Sequence, residues 1–130
     1  MHRVLIIEDY DDACDMYAEL LRLAGYAVEC ASDGVDGLEK AVTFLPDLVV
    51  LDASLPRLDG FQVARRLRRD SKTTTVPIIM ISASEIPDFE GRVAEAGGNL
   101  AIRKPCLPEQ LLDGIRTLLG PEAVAADSAG

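Results

Sequence analysis

Four short apolar runs in this sequence each end in a side chain that can bind a cation or a phosphoryl group. The first run ends in Glu8 and Asp9, the second in Asp52, the third in Ser82 and the fourth in Lys104. Carboxylate oxygens are hard ligands that suit Mg²⁺, and a hydroxyl or an ammonium can donate hydrogen bonds to phosphoryl oxygens. If the runs are parallel strands, these groups meet at one edge of a sheet. Such a pocket could hold a divalent cation together with a phosphoryl group.

Each group also has an ordinary structural interpretation when it is taken alone. Acids such as Glu8 and Asp9 are common near helix N-termini, Asp52 is compatible with a turn, and Ser82 with a helix cap. These interpretations leave opposite charges at neighbouring strand ends unexplained. Two carboxylates about 4 Å apart repel by about 4 kcal/mol at an effective dielectric constant of about 20. The acids therefore require a counter-charge, of which Lys104 supplies one and a divalent cation two more.

The elements that would position these groups alternate along the chain between strand-like and helix-like segments. Predicted strands cover residues 4–8, 27–31, 48–51, 78–81 and 100–103. They are short and apolar without strict alternation, which is typical of strands buried on both faces. Helical spacing lies between them; in the first helix the predicted buried stripe is Ala13, Met16, Leu20 and Leu23. Five β–α units in this order predict an α/β fold, a parallel sheet with helices on both faces.

Local signals agree with these boundaries. Gly25 follows the first predicted helix as a C-terminal cap, and Asp33 precedes the second as an N-cap. Asp59 and Gly60 open the third helix, and Pro108 lies in the first turn of the fifth. We predict one domain over residues 1–120, and a disordered tail or linker end over residues 121–130, which contains small residues and two acids.

Composition limits the classes of function. The chain has 130 residues, is 48% hydrophobic and carries a net charge of −9. An acidic chain is a poor direct binder of nucleic acid, and no apolar run approaches the ~20 residues needed to span a membrane. Arginines at 65, 66, 68 and 69 are the local exception; they form either a solvated helix face or a patch for a protein partner.

Three cysteines, Cys14, Cys30 and Cys106, lack the spacing of a metal site. Their odd number and the absence of a secretory signal favour reduced thiols in a cytoplasmic protein.

The ordered set of motifs resembles the receiver domain of two-component response regulators, including the single-domain chemotaxis regulators. The motifs are Glu8-Asp9, Asp52 with Leu55-Pro56 and Leu58-Asp59-Gly60, Ser82-Ala83 and Lys104-Pro105. The resemblance covers residues 4–119. It implies the flavodoxin-like (βα)5 fold, with strand order 2-1-3-4-5.

The resemblance also implies a mechanism. Asp52 would accept a phosphoryl group from the phosphohistidine of a sensor histidine kinase or a histidine phosphotransfer protein. The implied Mg²⁺ ligands are Glu8, Asp9, Asp52 and the backbone carbonyl of Ser54. Lys104 would pair with one phosphoryl oxygen, and the Ser82 hydroxyl would move to donate to another. Binding of a downstream protein would change as a result. The domain would catalyse only its own phosphorylation and dephosphorylation, and it is therefore not expected to be an enzyme.

One position departs from the family pattern. An aromatic residue usually stands three residues before the lysine, and here that residue is Ala101. One alternative is therefore a receiver-like interaction scaffold with weak or atypical phosphorylation output. A second alternative is a hydrolase of the aspartyl-phosphate type, but the second aspartate of that class is replaced by Ser54. A nucleotide-binding site is disfavoured because no glycine-rich loop follows a strand.

Overall fold

Parallel strands and helices alternate through residues 2–83, 85–104 and 107–120, the part of the chain that the computed structural model describes. The elements are β1 (Arg3–Ile7), α1 (Asp11–Leu23), β2 (Ala27–Ala31), α2 (Gly34–Phe44), β3 (Leu48–Asp52), α3 (Gly60–Arg69), β4 (Ile78–Ser82), α4 (Phe89–Ala96), β5 (Leu100–Arg103) and α5 (Pro108–Leu119). The strands form one parallel sheet in the order β2-β1-β3-β4-β5. The predicted fold class and strand order are confirmed.

Two apolar layers enclose the sheet. Buried side chains of α2, α3 and α4 cover one face, and those of α1 and α5 cover the other. Strands β3 and β4 are buried along their whole length, because both of their faces lie under helices. The central strands are therefore held firmly, and their carboxyl ends are fixed relative to one another.

The predicted helix boundaries correspond to observed caps. The Asp33 side chain accepts a hydrogen bond from the Asp36 amide at the start of α2. Asp59 and Gln62 form a reciprocal capping box at α3, and Pro108 is the first residue of α5. Gly25 has a φ of 102° just after α1, a conformation that glycine adopts without strain.

The predicted apolar stripe of α1 is wrong in register. Met16 and Leu23 are 49% and 82% exposed, whereas the buried residues of α1 are Cys14, Tyr17, Ala18 and Leu21. The true stripe has the same helical spacing. A search for aliphatic side chains does not detect this stripe, because its first two members are a cysteine and a tyrosine.

The expectation of reduced thiols is also wrong for two of the three cysteines. Cys14 on α1 and Cys30 on β2 form a disulfide bond, with their Cα atoms 6.5 Å apart. Pairing of β2 with β1 brings Cys30 beneath the first turns of α1, a proximity that spacing along the chain does not reveal. Cys106, Ser84, Pro105 and the predicted tail at 121–130 lie outside the described residues.

No helix in the described part of the chain is long and apolar enough to cross a bilayer.

Candidate functional site

Strand register brings the predicted site residues to one edge of the sheet. Asp52 on β3 lies beside Ile81, and Ser82 on β4 lies beside Arg103 on β5. Glu8 directly follows β1, and Lys104 directly follows β5. Backbone hydrogen bonds extend the ladder past the strand ends: the Lys104 amide donates to the Ser82 carbonyl at 2.8 Å. The candidate groups are thus placed by rigid neighbouring strands.

Three carboxylates meet at this edge. One oxygen from each of Glu8, Asp9 and Asp52 lies within 4.8 Å of the other two. Glu8 and Asp52 are only 4% and 6% exposed, whereas Asp9 is exposed to solvent. This all-oxygen set fits Mg²⁺, which takes one or two carboxylates and keeps several waters. Asp9 provides the side that remains open to water.

Lys104 is the cation of the site. Its Nζ lies 3.1 Å from Glu8 Oε1 and 3.7 Å from Asp52 Oδ2. Burial alone would lower the pKa of Lys104, but the hydrogen bond to Glu8 and the charges of Asp52 and Glu8 outweigh burial and leave the pKa raised. The ammonium is therefore charged at neutral pH. Three carboxylates against one ammonium still leave an excess of negative charge.

The excess of negative charge affects the pKa of Glu8. Burial raises the pKa of Glu8 above its ordinary value, and the charge of Asp52 raises it further, against a smaller opposing effect of Lys104. A bound divalent cation would relieve this repulsion. The sequence predicted Lys104 as a counter-ion for the acids in general; the structure assigns its shortest contact to Glu8.

One predicted serine lies on β4, the strand next to β3, and the other lies two residues after Asp52 in the chain. Ser82 is the last residue of β4 and is buried, at 1% exposure. Ser54 is exposed, and its backbone amide donates to Asp52 Oδ1 at 2.9 Å. This bond fixes one carboxylate oxygen and leaves the other facing Lys104. The role of the Ser54 carbonyl as a metal ligand stays a prediction.

Gly60 explains part of the Asp52 motif. Its amide donates to the Ala53 carbonyl at 3.0 Å, which draws the start of α3 over the end of β3. A Cβ atom at position 60 would overlap the carbonyl oxygen of Asp52 and lie 2.7 Å from the Cα of Ala53. Only glycine permits this close approach.

Sequence reasoning missed two features around the site. Tyr10 is 63% exposed at the rim of the site, and its amide donates to Glu8 Oε2 at 3.3 Å.

The second feature is the layer beside position 101. Ala101 packs on the α4 side of β5, where Phe89 of α4 is fully buried. Phe89 makes an edge-on contact with Phe61 of α3. An aromatic side chain therefore occupies this layer, but it comes from α4 instead of β5.

Comparison with known proteins agrees with this geometry. The family model "Response regulator receiver domain" matches residues 4–116. The DNA-binding dual master transcriptional regulator RpaA of Synechocystis is 40% identical over 121 residues, which are 92% of this chain and 49% of that protein. The PhoP regulator of alkaline phosphatase synthesis in Bacillus subtilis is 32% identical, over 98% of this chain and 52% of its own. This chain spans about half the length of these curated relatives.

Solved structures show the same likeness. The chemotaxis protein CheY4 of Vibrio cholerae superposes with a TM-score of 0.86 at 30% identity, covering 92% of this chain and 99% of its own. The receiver domain of the sensor histidine kinase PA1611 of Pseudomonas aeruginosa, solved with magnesium in its active-site cleft, has a TM-score of 0.83 at 27% identity and covers 92% and 98%. With the family match over most of its length, this chain belongs to the receiver domains of two-component response regulators.

Proposed function

We propose that Asp52 is the phosphoacceptor of this receiver domain. The observation that carries the proposal is the position of the Lys104 ammonium, which contacts both Asp52 and Glu8 at the sheet edge where Asp9 completes the acidic cluster. A carboxylate with one oxygen fixed by the Ser54 amide and the other beside a cation is oriented for nucleophilic attack. The same cation can later pair with a phosphoryl oxygen.

The metal in this proposal is Mg²⁺. Glu8, Asp9, Asp52 and the backbone carbonyl of Ser54 would hold it, Glu8 through water. Bound there, it supplies positive charge that offsets the charge of the transferring phosphoryl group. The acidic cluster of this chain and the magnesium in the PA1611 receiver domain support this assignment.

The chain's own side chains supply the remaining chemistry. An Asp52 oxygen attacks the phosphorus of a phosphohistidine, so that an O–P bond forms while the P–N bond breaks and the histidine takes up a proton. Lys104 pairs with one phosphoryl oxygen, and the Ser82 hydroxyl donates to another. Because the Ser82 hydroxyl moves toward the phosphoryl group on Asp52, the β4–α4 loop shifts. This shift biases an existing equilibrium between two conformations of the domain. Later hydrolysis of the acyl phosphate resets the domain.

The partners follow from the chemistry. A sensor histidine kinase or a histidine phosphotransfer protein donates the phosphoryl group, and a downstream protein or domain reads the changed surface. We place this exchange in the cytoplasm, with residues 1–120 as the receiver unit and 121–130 as a tail or linker end. The interaction scaffold without phosphorylation is not favoured, because Asp9, Asp52, Ser82 and Lys104 are all present.

Intact mass measurement tests the proposal. The chain is incubated with Mg²⁺ and acetyl phosphate, and we expect one added phosphoryl group, which is absent in Asp52→Asn. Asp113→Asn is the matched control, since Asp113 is an exposed carboxylate on α5, and it should be phosphorylated like the parent. Failure of the parent to gain mass, or equal gain by Asp52→Asn, contradicts the proposal.

A further inference from the structure

The disulfide between Cys14 and Cys30 shares a cavity wall with Glu8 of the acidic pair Glu8-Asp9. Cys14 is in the first turns of α1, and Cys30 is the second-last residue of β2. In the sheet Cys30 lies beside Ile6, two residues before Glu8. The phosphoryl-transfer chemistry described above uses neither sulfur.

Hydrogen bonds connect both ends of the disulfide to the Glu8–Asp9 segment. On one side, the Cys14 amide donates to the Tyr10 carbonyl at 3.1 Å, and the Tyr10 amide donates to the Glu8 carboxylate. On the other side, Ala31 follows Cys30 and accepts a hydrogen bond from the Glu8 amide at 3.0 Å. The covalent bond therefore closes a ring of contacts around the chain segment that carries Glu8 and Asp9.

The disulfide can be reached from solvent. A cavity of about 150 Å³ opens beside it, and both cysteines line its wall. Cys14 is buried at 3% exposure, whereas Cys30 is half-buried. Cys30 is thus the more exposed residue of the pair.

We propose that Cys14 and Cys30 form a reversible disulfide that controls how firmly the acidic pair is held for cation binding. A thiolate of a dithiol reductant attacks Cys30 Sγ, which forms a mixed disulfide and releases the Cys14 thiolate. The second thiolate of the reductant then attacks the mixed disulfide and releases Cys30. Two electrons pass to the cysteines, each thiolate takes up a proton, and the reductant leaves as its own disulfide.

Reduction acts on the site by loosening α1 from β2. Asp9 precedes the first turn of α1 and is the exposed member of the cluster, so its position depends on how that turn is anchored. A less ordered ligand set binds Mg²⁺ more weakly, because ordering then occurs on binding. This consequence rests on the proposed function. Coupling is reciprocal, so Mg²⁺ should oppose reduction of the disulfide by the same factor.

The test uses the full chain with Cys106→Ser, which leaves only the two cysteines of the pair. Alkylation followed by intact mass counts free thiols before and after treatment with dithiothreitol. We expect no alkylated thiol in the oxidised form and two in the reduced form, with circular dichroism showing a folded domain in both. Mg²⁺ titration by calorimetry should give a dissociation constant higher by about fivefold in the reduced form, the lower end of ordinary coupling between two sites.

Cys14→Ala and Cys30→Ser are the matched controls. Each should bind Mg²⁺ like the reduced parent and should not respond to dithiothreitol. Two free thiols after air oxidation, or a disulfide that dithiothreitol cannot open in the folded domain, overturns the inference. Equal Mg²⁺ affinity in both forms overturns it too and leaves the proposed function intact, whereas absence of Mg²⁺ binding in either form contradicts both.

Discussion

At the scale of single residues, the site is defined by an imbalance of charge. Glu8, Asp9 and Asp52 oppose one ammonium, Lys104, and two of the three acids are almost fully buried. Burial and like charge raise the pKa of Glu8, which means that the folded domain without a cation carries an unfavourable electrostatic energy. The acids are thus placed for ligand binding at a cost to the stability of the metal-free domain.

Replacement of Asp52 by Asn should therefore stabilise the metal-free domain. Asn keeps an acceptor for the Ser54 amide, removes one of the repelling charges and leaves Lys104 paired with Glu8. We expect the free energy of unfolding at pH 7 to rise by about 1 kcal/mol, less than the full repulsion between two carboxylates, because the attraction between Lys104 and Asp52 is lost as well. Chemical unfolding monitored by circular dichroism in the presence of a chelator measures this change.

The gain in the free energy of unfolding of Asp52→Asn over the parent should shrink as the pH falls. Below the folded-state pKa of Glu8, which is raised, Glu8 binds a proton, and its repulsion by Asp52 is lost in the parent as well. Asp113→Asn serves as the control and should lie within about 0.5 kcal/mol of the parent, as is usual for a surface substitution. A destabilised Asp52→Asn at pH 7 would contradict this account of the site.

The lifetime of the phosphoryl group is a second property of single residues. Ser54 is exposed beside Asp52, and a small side chain leaves a path for the water that attacks the acyl phosphate. Ser54→Arg should slow dephosphorylation by about tenfold, which corresponds to a barrier higher by about 1.4 kcal/mol, because the longer side chain would fill the path of the attacking water. Decay of the phosphorylated mass after removal of the phosphodonor gives the rate, and an unchanged lifetime would show that position 54 does not control access of water.

At the scale of elements, the arginine run on α3 divides into two different roles. Arg65, Arg66 and Arg69 are exposed, whereas Arg68 turns inward. Its guanidinium donates to the carbonyl oxygens of Gly97, Thr73, Thr74 and Val76 and to the Asn99 side chain. Arg68 thus joins the end of α3 to the loops that precede β4 and β5, and partial burial lowers its pKa from the ordinary arginine value.

Loss of Arg68 should destabilise the domain. Arg68→Leu removes the donors and leaves several carbonyl oxygens without their partner, so we expect the free energy of unfolding to fall by about 2 kcal/mol. Arg69→Leu is the matched control on the next position, where the side chain is exposed, and it should change stability by less than about 0.5 kcal/mol. Urea unfolding of the three proteins distinguishes the two positions, and equal effects would show that the Arg68 contacts contribute little.

The same scale shows what the sequence could predict. The strands and the caps at Asp33 and Asp59 follow from local patterns, because apolar runs and capping residues act over a few positions. The strand order was implied only by the resemblance to receiver domains. The register of α1 was missed because Cys14 and Tyr17 belong to its buried face. The Cys14–Cys30 bond and the inward turn of Arg68 depend on contacts between elements, and no local pattern contains that information.

At the scale of the whole molecule, the proposed phosphorylation of Asp52 would act on the rest of the domain through packed elements. Position 101 on β5 lies beside Met80 of β4, and its single methyl group has no rotamer to change. The aromatic contact in this layer is between Phe61 of α3 and Phe89 of α4. We infer that a change at Asp52 reaches α4 through the β4–α4 loop, since the side chain at position 101 of β5 cannot reorient.

This route predicts where phosphorylation changes the structure. Backbone amide shifts are compared by NMR with and without Mg²⁺ and beryllofluoride, which mimics the phosphoryl group on aspartate. We expect large changes at the carboxyl edge of the sheet and in α4 around Phe89, and smaller changes at residues 100–102, because the side chain at position 101 cannot change rotamer. In Ala101→Tyr the ring gains room in the groove of about 580 Å³ beside β5, so the changes should extend into β5. Ala96→Val, at a buried position on α4, controls for altered packing alone. Large shifts at β5 in the parent chain would show that the signal reaches this strand without an aromatic side chain at position 101.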